Sequence, residues 1–234
     1  MCIRDRYVLD LENLRYSWPG ANRHTLDIDS LRLGQGESLF LFGPSGCGKS
    51  TLLSAISGTV DIGVGQISVA GTDIGGLNGG ARDKFRVDHL GIIFQVFNLI
   101  PWLSALDNVL LPCQFSARRR ERLASDPETD TRRLLTELGL SEKKVISAPA
   151  SSLSIGQQQR VAAARALIGR PELILADEPT SALDEDAKKA FVDLLARECA
   201  ASGAALLFVS HDRRLEGRFD HVMDFRELNR MGAA

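Results

Sequence analysis

The chain has 234 residues, of which 44% are hydrophobic and 25% charged, as in an ordinary globular domain. Its 28 basic and 30 acidic residues leave a net charge of −2, which gives no general attraction to nucleic acid, so we expect no nucleic-acid partner. The most apolar stretch, residues 90–103, is interrupted by polar residues and a proline, and therefore predicts no membrane span.

The N-terminal part of the chain predicts paired β-strands. Residues 1–6 have no apolar core and are interpreted as a disordered tail or a sequence scar. Strand-like patterns follow at residues 8–14 and 26–33, then an apolar run at 37–42 and a short strand at 66–70. These segments predict an N-terminal antiparallel β-subdomain.

Residues 43–51 read GPSGCGKST and match the phosphate-binding pattern G-x-x-x-x-G-K-[ST]. They lie between the apolar run and a segment of helical spacing at residues 50–56, which is the context that this motif requires. Backbone N–H groups of such a turn point at a β-phosphate, and the helix N-terminus adds a partial positive charge. Lys49 would then reach the β- and γ-phosphates, and the Ser50 hydroxyl would bind Mg²⁺. The motif predicts a nucleoside triphosphate site formed by Gly43, Pro44, Ser45, Gly46, Cys47, Gly48, Lys49, Ser50 and Thr51.

The rest of the chain predicts an α/β core of the P-loop NTPase type with a helical insertion. Apolar runs at residues 173–176 and 205–209 are typical of parallel strands that are covered on both faces. The middle of the chain, about residues 96–166, is rich in charged, helix-favouring residues and predicts a helical subdomain. We therefore predict a single domain over residues 7–228, with residues 229–234 as a tail.

Two adjacent carboxylates end the apolar run LILADE. Because the chain leaves the sheet at this point, both side chains can reach a nucleotide. Asp177 would hold the Mg²⁺ shell, through water, and Glu178 would orient and polarise the attacking water. The distance of 128 residues between Lys49 and Asp177 leaves room for inserted helices, unlike that in a compact small-molecule kinase.

Further motifs in fixed order give the chain a family resemblance. They are Gln95, LSIGQQQR at residues 153–160, DEPTSALD at 177–184 and VSHD at 209–212. With the phosphate loop, this set resembles the ATP-binding subunit of ABC transporters over almost the whole chain, from about residue 7 to residue 225.

The resemblance implies a role for each matching residue. Gln95 would sense Mg²⁺ and couple to the membrane partner, Asp184 would close the loop that communicates across the dimer, and His211 would contact the γ-phosphate. Trp18 is similar to the aromatic residue that stacks on adenine, with Tyr16 as the second candidate; either one fits an edge-strand aromatic as well.

The resemblance also implies that one chain is half of an enzyme. Ser154, Gly156 and Gln157 of the signature motif would cover the γ-phosphate held by a second copy, so that two ATP molecules with Mg²⁺ are buried in a twofold dimer. The family usually has glycine at the position of Ile155; we expect a β-branched residue to be tolerated there if its backbone angles are ordinary.

Residues 94–101 and 104–109 look like the lipoprotein-releasing and macrolide-efflux subgroup, and the cell-division ATPase is similar there. That subgroup implies an integral membrane permease subunit docked at the groove beside Gln95, and a cytoplasmic, peripheral location at the inner face of the membrane. Phe97, Leu99, Ile100 and Trp102 are candidates for the apolar contacts, and each fits the core of the helical subdomain equally well.

Two other functions stay open at this point. A soluble ABC ATPase acting on DNA or ribosomes is disfavoured by the single nucleotide cassette, the lack of a long coiled-coil insertion and the net charge. A catalytically weak regulatory subunit is suggested by Ile155. Glu178 and His211 argue against it, because a general base contributes about 10²–10⁴-fold to the rate.

Overall fold

A computed structural model describes residues 7–232 of the chain. The tail predicted at residues 1–6 lies outside the described residues, as do residues 233 and 234. The strands are β1 Tyr7–Tyr16, β2 Leu26–Gly34, β3 Ser38–Phe42, β4 Ile67–Val69, β5 Thr72–Asp73, β6 Leu90–Ile93, β7 Leu173–Asp177, β8 Ala205–Ser210 and β9 His221–Asp224. The helices are α1 Lys49–Ile56, α2 Gly79–His89, α3 Ala105–Phe115, α4 Ala117–Glu121, α5 Pro127–Glu137, α6 Lys143–Ile146, α7 Ile155–Leu167, α8 Glu185–Ser202 and α9 Phe225–Leu228.

A five-stranded parallel sheet, in the order β6-β7-β8-β3-β9, forms the centre of the molecule. Its middle strands are apolar and buried on both faces, which confirms the parallel strands predicted from the continuous apolar runs. Because the strands are parallel, the carboxyl ends of β3, β6, β7 and β8 meet at one edge. The phosphate loop, Gln95, Glu178 and His211 all follow that edge.

A four-stranded antiparallel sheet, in the order β2-β1-β4-β5, packs as the second layer. Alternate residues of β1 and β2, including Leu9, Leu11 and Ile28, are fully buried against the parallel sheet and α1. The predicted α/β core with an antiparallel β-subdomain is therefore confirmed. The loop between β1 and β2, residues 17–25, returns to the phosphate loop.

Helices α3 to α6 build the predicted helical insertion on one side of the parallel sheet. Side-chain oxygens cap three of these helices at their N-termini: Ser104 for α3, Ser116 for α4 and Asp126 for α5. At its C-terminal end α7 touches β6 so closely that a Cβ atom on Gly91 would lie 2.3 Å from the Ala166 carbonyl oxygen. No helix in residues 7–232 combines the length and the apolar character that a bilayer crossing requires.

Strand β6, helix α2 and the C-terminal segment β9–α9 were not predicted. Strand β6 has only four residues, within a long apolar stretch that carries no strand-specific period. Helix α2 buries little more than Phe85 and Asp88, so its apolar stripe is too weak to detect. Asn229, within the predicted tail, is buried, and its amide oxygen accepts a hydrogen bond from the Asp27 amide at 2.8 Å.

Arg119 is a fully buried cation that joins the helical insertion to the core. Only 2% of its surface is exposed. Its guanidinium donates to the carbonyl oxygens of Val87 at 2.6 Å and Ile168 at 2.7 Å, and also to those of Ala166 and Leu90. Burial lowers the pKa of Arg119 to about 10, so the side chain remains charged at neutral pH. The ends of α2 and α7 and the start of β6 therefore share one hydrogen-bond donor.

We expect Arg119→Met to lower the free energy of unfolding by about 3 kcal/mol or more, because four buried carbonyl oxygens lose their donor. Urea unfolding of the nucleotide-free protein measures this change. The matched control is Arg120→Met on the same helix, where an exposed arginine donates to Cys113; we expect about 1 kcal/mol or less. Equal effects of the two substitutions would contradict the role given to Arg119.

Candidate active site at the edge of the parallel sheet

The phosphate loop leads from β3 into α1 through two glycines in the left-handed region. Gly46 has φ 79° and Gly48 has φ 110°. At Gly48 the loop also lies close to its neighbours, since an added Cβ atom would be 3.3 Å from the Thr25 carbonyl oxygen. Both positions therefore require glycine. Helix α1 begins at Lys49 without a side-chain cap, which leaves its first N–H groups for an anion.

Lys49 is buried inside the loop that it follows. Its Nζ donates to the carbonyl oxygens of Gly43 and Pro44, each at 2.8 Å, and lies 3.9 Å from the Cys47 sulfur. These bonds hold a positive charge among backbone dipoles rather than against a carboxylate. The ammonium group is thus oriented for an anionic ligand.

Asp177, the last residue of β7, has a buried Oδ1 atom that no donor in the described structure satisfies. Burial raises the pKa of Asp177 above its ordinary value and the nearby Glu178 adds to the rise, while a hydrogen bond from Ser50 and the charge of Lys49 oppose it. A buried carboxylate oxygen without a partner, next to a serine hydroxyl, is a suitable donor set for a hard divalent cation.

Glu178 follows directly in a strained backbone conformation. Its φ is +46°, and it precedes a proline, which further restricts the backbone. The Glu178 N–H donates to the Val209 carbonyl oxygen at 2.9 Å, which fixes the turn to β8. The side chain then forms a short hydrogen bond with Nδ1 of His211. Backbone strain of this kind is typical of functional sites.

An open cavity of about 730 Å³ lies between these groups. Trp18, Glu178 and His211 all line it, and the Trp18 ring meets that of Tyr16 edge-on with centroids 5.3 Å apart. Of the two candidate aromatics, Trp18 faces the cavity. Thr25 also lines the cavity, although no motif in the sequence marks it. The full lining is Trp18, Thr25, Ser45, Gly46, Gly48, Lys49, Ser50, Thr51, Gln95, Glu178 and His211.

The signature residues do not line this cavity. Ser154 is the exposed N-cap of α7, and it forms a capping box with Gln157: the Ser154 N–H donates to Gln157 Oε1 at 2.9 Å and the Gln157 N–H to Ser154 Oγ at 3.3 Å. Ile155 and Gly156 are in the first turn of the helix. Asp184 likewise caps α8, and its carboxylate accepts from the Ala187 N–H at 2.9 Å.

Ile155 does not require a glycine conformation. The backbone at this position is helical with negative φ, and 55% of the side chain is exposed. A side chain at Gly156 would also meet nothing within 4 Å. The departure from the family pattern therefore costs no backbone strain within one chain.

Two polar side chains outside the predicted site hold the segment after Gln95. Arg165 of α7 donates to the carbonyl oxygens of Phe97 at 2.7 Å and Asn98 at 2.6 Å. Asn108 is fully buried; its Oδ1 accepts from the Ile100 N–H at 2.8 Å, and its amide donates to carbonyls of the same loop. These bonds are to backbone, so nothing in the sequence indicates them.

Comparison with known proteins places this site in a family. The sequence model of the ABC transporter family matches residues 26–181, more than half of the chain. The chain is a member of the ABC transporter ATPase family. This ABC ATPase is thus an ABC-type ATP hydrolase, with the nucleotide-binding fold that the sequence resemblance implied.

Three comparisons show the extent of the likeness. The lipoprotein-releasing system ATP-binding protein LolD of Novosphingobium aromaticivorans is 41% identical over 223 residues, 94% of this chain and 96% of that protein. The macrolide export ATP-binding/permease protein MacB of Chromobacterium violaceum is 39% identical over 202 residues, 85% of this chain and 30% of that protein. The dimeric post-hydrolysis structure of the ATP-binding cassette MJ0796 with ADP and Pi matches the ABC ATPase with a TM-score of 0.79 and 33% identity, covering 92% of this chain and 93% of that one.

We expect Asp177→Asn to raise the melting temperature of the nucleotide-free ABC ATPase by about 2–4 °C, the shift that about 1 kcal/mol produces in a domain of this size. The substitution removes a charge that burial disfavours. With Mg²⁺ and ATP present, the order of the two melting temperatures reverses. The wild type keeps the carboxylate for the cation and gains about 2.7 kcal/mol of stability at a ligand concentration of 100 Kd. Thermal unfolding with and without Mg-ATP measures both effects.

The control is Asp184→Asn, which keeps a residue that can cap α8 and is exposed. We expect its melting temperature without nucleotide to stay within about 1 °C of the wild type. If the nucleotide-free Asp177→Asn protein melts below the wild type, burial of the Asp177 charge does not destabilise the fold.

Proposed function

We propose that two copies of this ABC ATPase enclose two ATP molecules with Mg²⁺ and that the dimer drives a membrane permease subunit of the lipoprotein-release or efflux type. The observation that carries the proposal is the separation of the two halves of the site. The phosphate loop, Glu178 and His211 share one open cavity, whereas Ser154 and Gly156 are at the exposed start of α7 and do not line it.

A second copy would complete the cavity. The start of α7 is a second helix N-terminus beside that of α1; its residues Ser154 and Ile155 are exposed, and it carries the serine and the glycine of the signature motif. A twofold arrangement places the α7 start of each copy against the phosphates held by the other. The dimeric state of MJ0796 supports this arrangement.

The residues of the cavity fit a triphosphate with a divalent cation. Phosphate oxygens would be bound by Lys49, by the N–H groups of residues 46–51 and by the N-terminus of α1. The Trp18 ring also lines the cavity and would stack on the base. Ser50, Gln95 and Asp177 would hold Mg²⁺, since the unpaired Asp177 oxygen lies beside the Ser50 hydroxyl. The cation would supply charge neutralisation of the phosphates.

Glu178 is the group that we assign to the proton transfer. Its carboxylate would accept a proton from the water that attacks the γ-phosphate, and its strained turn aims the side chain at the cavity. His211 bonds to that carboxylate and lines the same cavity, so it would hold Glu178 in place and meet the γ-phosphate. Loss of the γ-phosphate would remove the bridge between the copies.

The membrane partner would dock at the groove beside Gln95. A groove of about 270 Å³, which we name the subdomain groove, is lined by Arg86, Val87, Leu90, Gly91, Ile92, Leu111, Pro112, Phe115, Arg119, Arg165 and Ala166. Strand β6 lines this groove and leads within two residues to Gln95 of the nucleotide cavity. Phe115, which lines the groove, is exposed, and so are Val96 and Trp102 in the segment that follows β6. Exposed large apolar side chains of this kind support a docking site.

The four apolar candidates from the sequence differ in how far their side chains are exposed. Phe97 and Leu99 pack against the core of the helical insertion, so their side chains are structural. Ile100 is half-buried. Trp102 is 77% exposed and is the candidate that a partner can reach. The names of LolD and MacB, which describe lipoprotein release and macrolide export, support the type of partner.

We expect Glu178→Gln to reduce steady-state hydrolysis by at least about 10²-fold and to accumulate an ATP-bound dimer. Light scattering coupled to size-exclusion chromatography with Mg-ATP measures the dimer. Adding Ser154→Arg to this variant places a long cation at the start of α7, so we expect a monomer that still binds ATP. A Glu178→Gln protein that binds Mg-ATP and stays monomeric would overturn the proposal.

We expect Trp102→Asp to shift the chain from the membrane fraction to the supernatant when it is expressed in its native host, because the change puts a charge into an apolar contact. The matched control is Val64→Asp in the loop between α1 and β4, an apolar residue that is 76% exposed. Immunoblotting of both fractions measures the distribution. Equal distributions of the two variants would exclude Trp102 from the docking site.

A further inference from the structure

Gln159 connects the signature helix to the turn that carries Glu178. Its amide Nε2 donates to the Pro179 carbonyl oxygen at 2.8 Å, and only 1% of the residue is exposed. The two residues belong to different elements, α7 and the turn after β7. A buried hydrogen bond of this kind fixes the distance between the elements, because breaking it leaves a buried carbonyl oxygen without a donor.

The turn that accepts this bond, residues 178–181, has a backbone that needs support. Glu178 has φ +46° before a proline, a combination that the backbone disfavours. Its N–H is held by Val209, and the Ser181 N–H donates to the Glu178 carbonyl oxygen at 3.2 Å. Within residues 7–232, Gln159 is the side chain that hydrogen-bonds to the backbone of this turn.

The start of α7 is exposed, so a second molecule can reach it. Ile155 lies one turn before Gln159 on the same helix and is exposed, and the capping box of Ser154 and Gln157 makes the first turn rigid. A displacement of the start of α7 would therefore move the Gln159 amide and, through its hydrogen bond, the Pro179 carbonyl next to Glu178.

We infer that Gln159 is a positioning residue that sets Glu178 for catalysis when the start of α7 engages the nucleotide of the second copy. The inference rests on the proposed function, in which Glu178 accepts the proton and the copies share ATP. Without the Gln159 donor, ATP still binds and the dimer still forms, but the turn that carries Glu178 loses its hydrogen bond to α7. The Glu178 carboxylate is then less precisely positioned, and the rate of hydrolysis falls.

The test compares Gln159→Met with Gln158→Met. Methionine keeps the length and volume of glutamine in a helix and removes the donor. Gln158 is the adjacent residue of α7, and its amide donates to the Leu153 carbonyl oxygen at 2.9 Å within the same segment. For Gln159→Met we expect kcat to fall about tenfold, a part of the general-base effect, with KM for ATP within about twofold. For Gln158→Met we expect both within about twofold. Gln159→Leu, a second side chain without the donor, is expected to show the same fall in kcat. It replaces Gln159→Met in the test if that variant folds poorly.

A double-mutant cycle separates positioning from a general structural role. In the Glu178→Ala background, single-turnover hydrolysis measures the residual rate, and Gln159→Met is expected to change it by less than about twofold, since no carboxylate remains to be positioned. A tenfold loss in both backgrounds would overturn the inference, as would an unchanged kcat for the single variant.

The dimer assay distinguishes this inference from the proposed function. In the Glu178→Gln background, Gln159→Met is expected to keep the Mg-ATP dimer. If Glu178→Gln alone stays monomeric, the proposed function fails. If that dimer forms and Gln159→Met abolishes it, Gln159 acts in assembly and the inference alone fails.

Discussion

The site depends on two opposite charges that the fold buries at one edge of a parallel sheet. Lys49 is held by the carbonyl oxygens of Gly43 and Pro44, whereas one oxygen of Asp177 has no donor in the described structure. The loop can bury the ammonium because two of its carbonyl oxygens accept hydrogen bonds from it. The carboxylate is compensated only in part, by a hydrogen bond from Ser50 and the charge of Lys49, so burial still raises its pKa. In the proposed function, a nucleotide and a cation bound at this edge would stabilise the folded protein.

The parallel sheet positions the phosphate loop, Glu178 and His211, and helix α7 carries the residues that a second copy would need. Strands β3, β7 and β8 end at one edge, so the segments that follow them meet there. The signature residues come from α7, whose start is exposed. In the proposed dimer, a site divided in this way would couple hydrolysis to the relative position of the two copies, which suits an enzyme that performs mechanical work.

The sequence predicted the motifs and the buried strands because both are local patterns. The phosphate loop, the acidic strand end and the apolar runs each lie within ten residues, and the structure confirms their elements. Arg119, Gln159 and Arg165 could not be predicted, because each donates to backbone carbonyl oxygens, which every residue has. Thr25 reaches the cavity only through the return of the β1–β2 loop. Ile155 was correctly expected to be free of backbone strain, since a helix start needs no glycine.

The contacts of α7 explain how one helix can be bound to the core of its own chain and also be available to a second copy. Its C-terminal end is fixed, because Gly91 leaves no room for a side chain beside the Ala166 carbonyl and Arg119 bonds to the carbonyls of Ala166 and Ile168. Its N-terminal end is exposed. Between the two ends, Arg165 bonds to the segment after Gln95 and Gln159 bonds to the turn after Glu178. The inferred positioning role of Gln159 requires that a displacement of the exposed end reach these bonds, and a helix fixed at its other end meets that requirement. The contacts that bind the helix to the core are thus the same contacts that relate the nucleotide cavity to the subdomain groove.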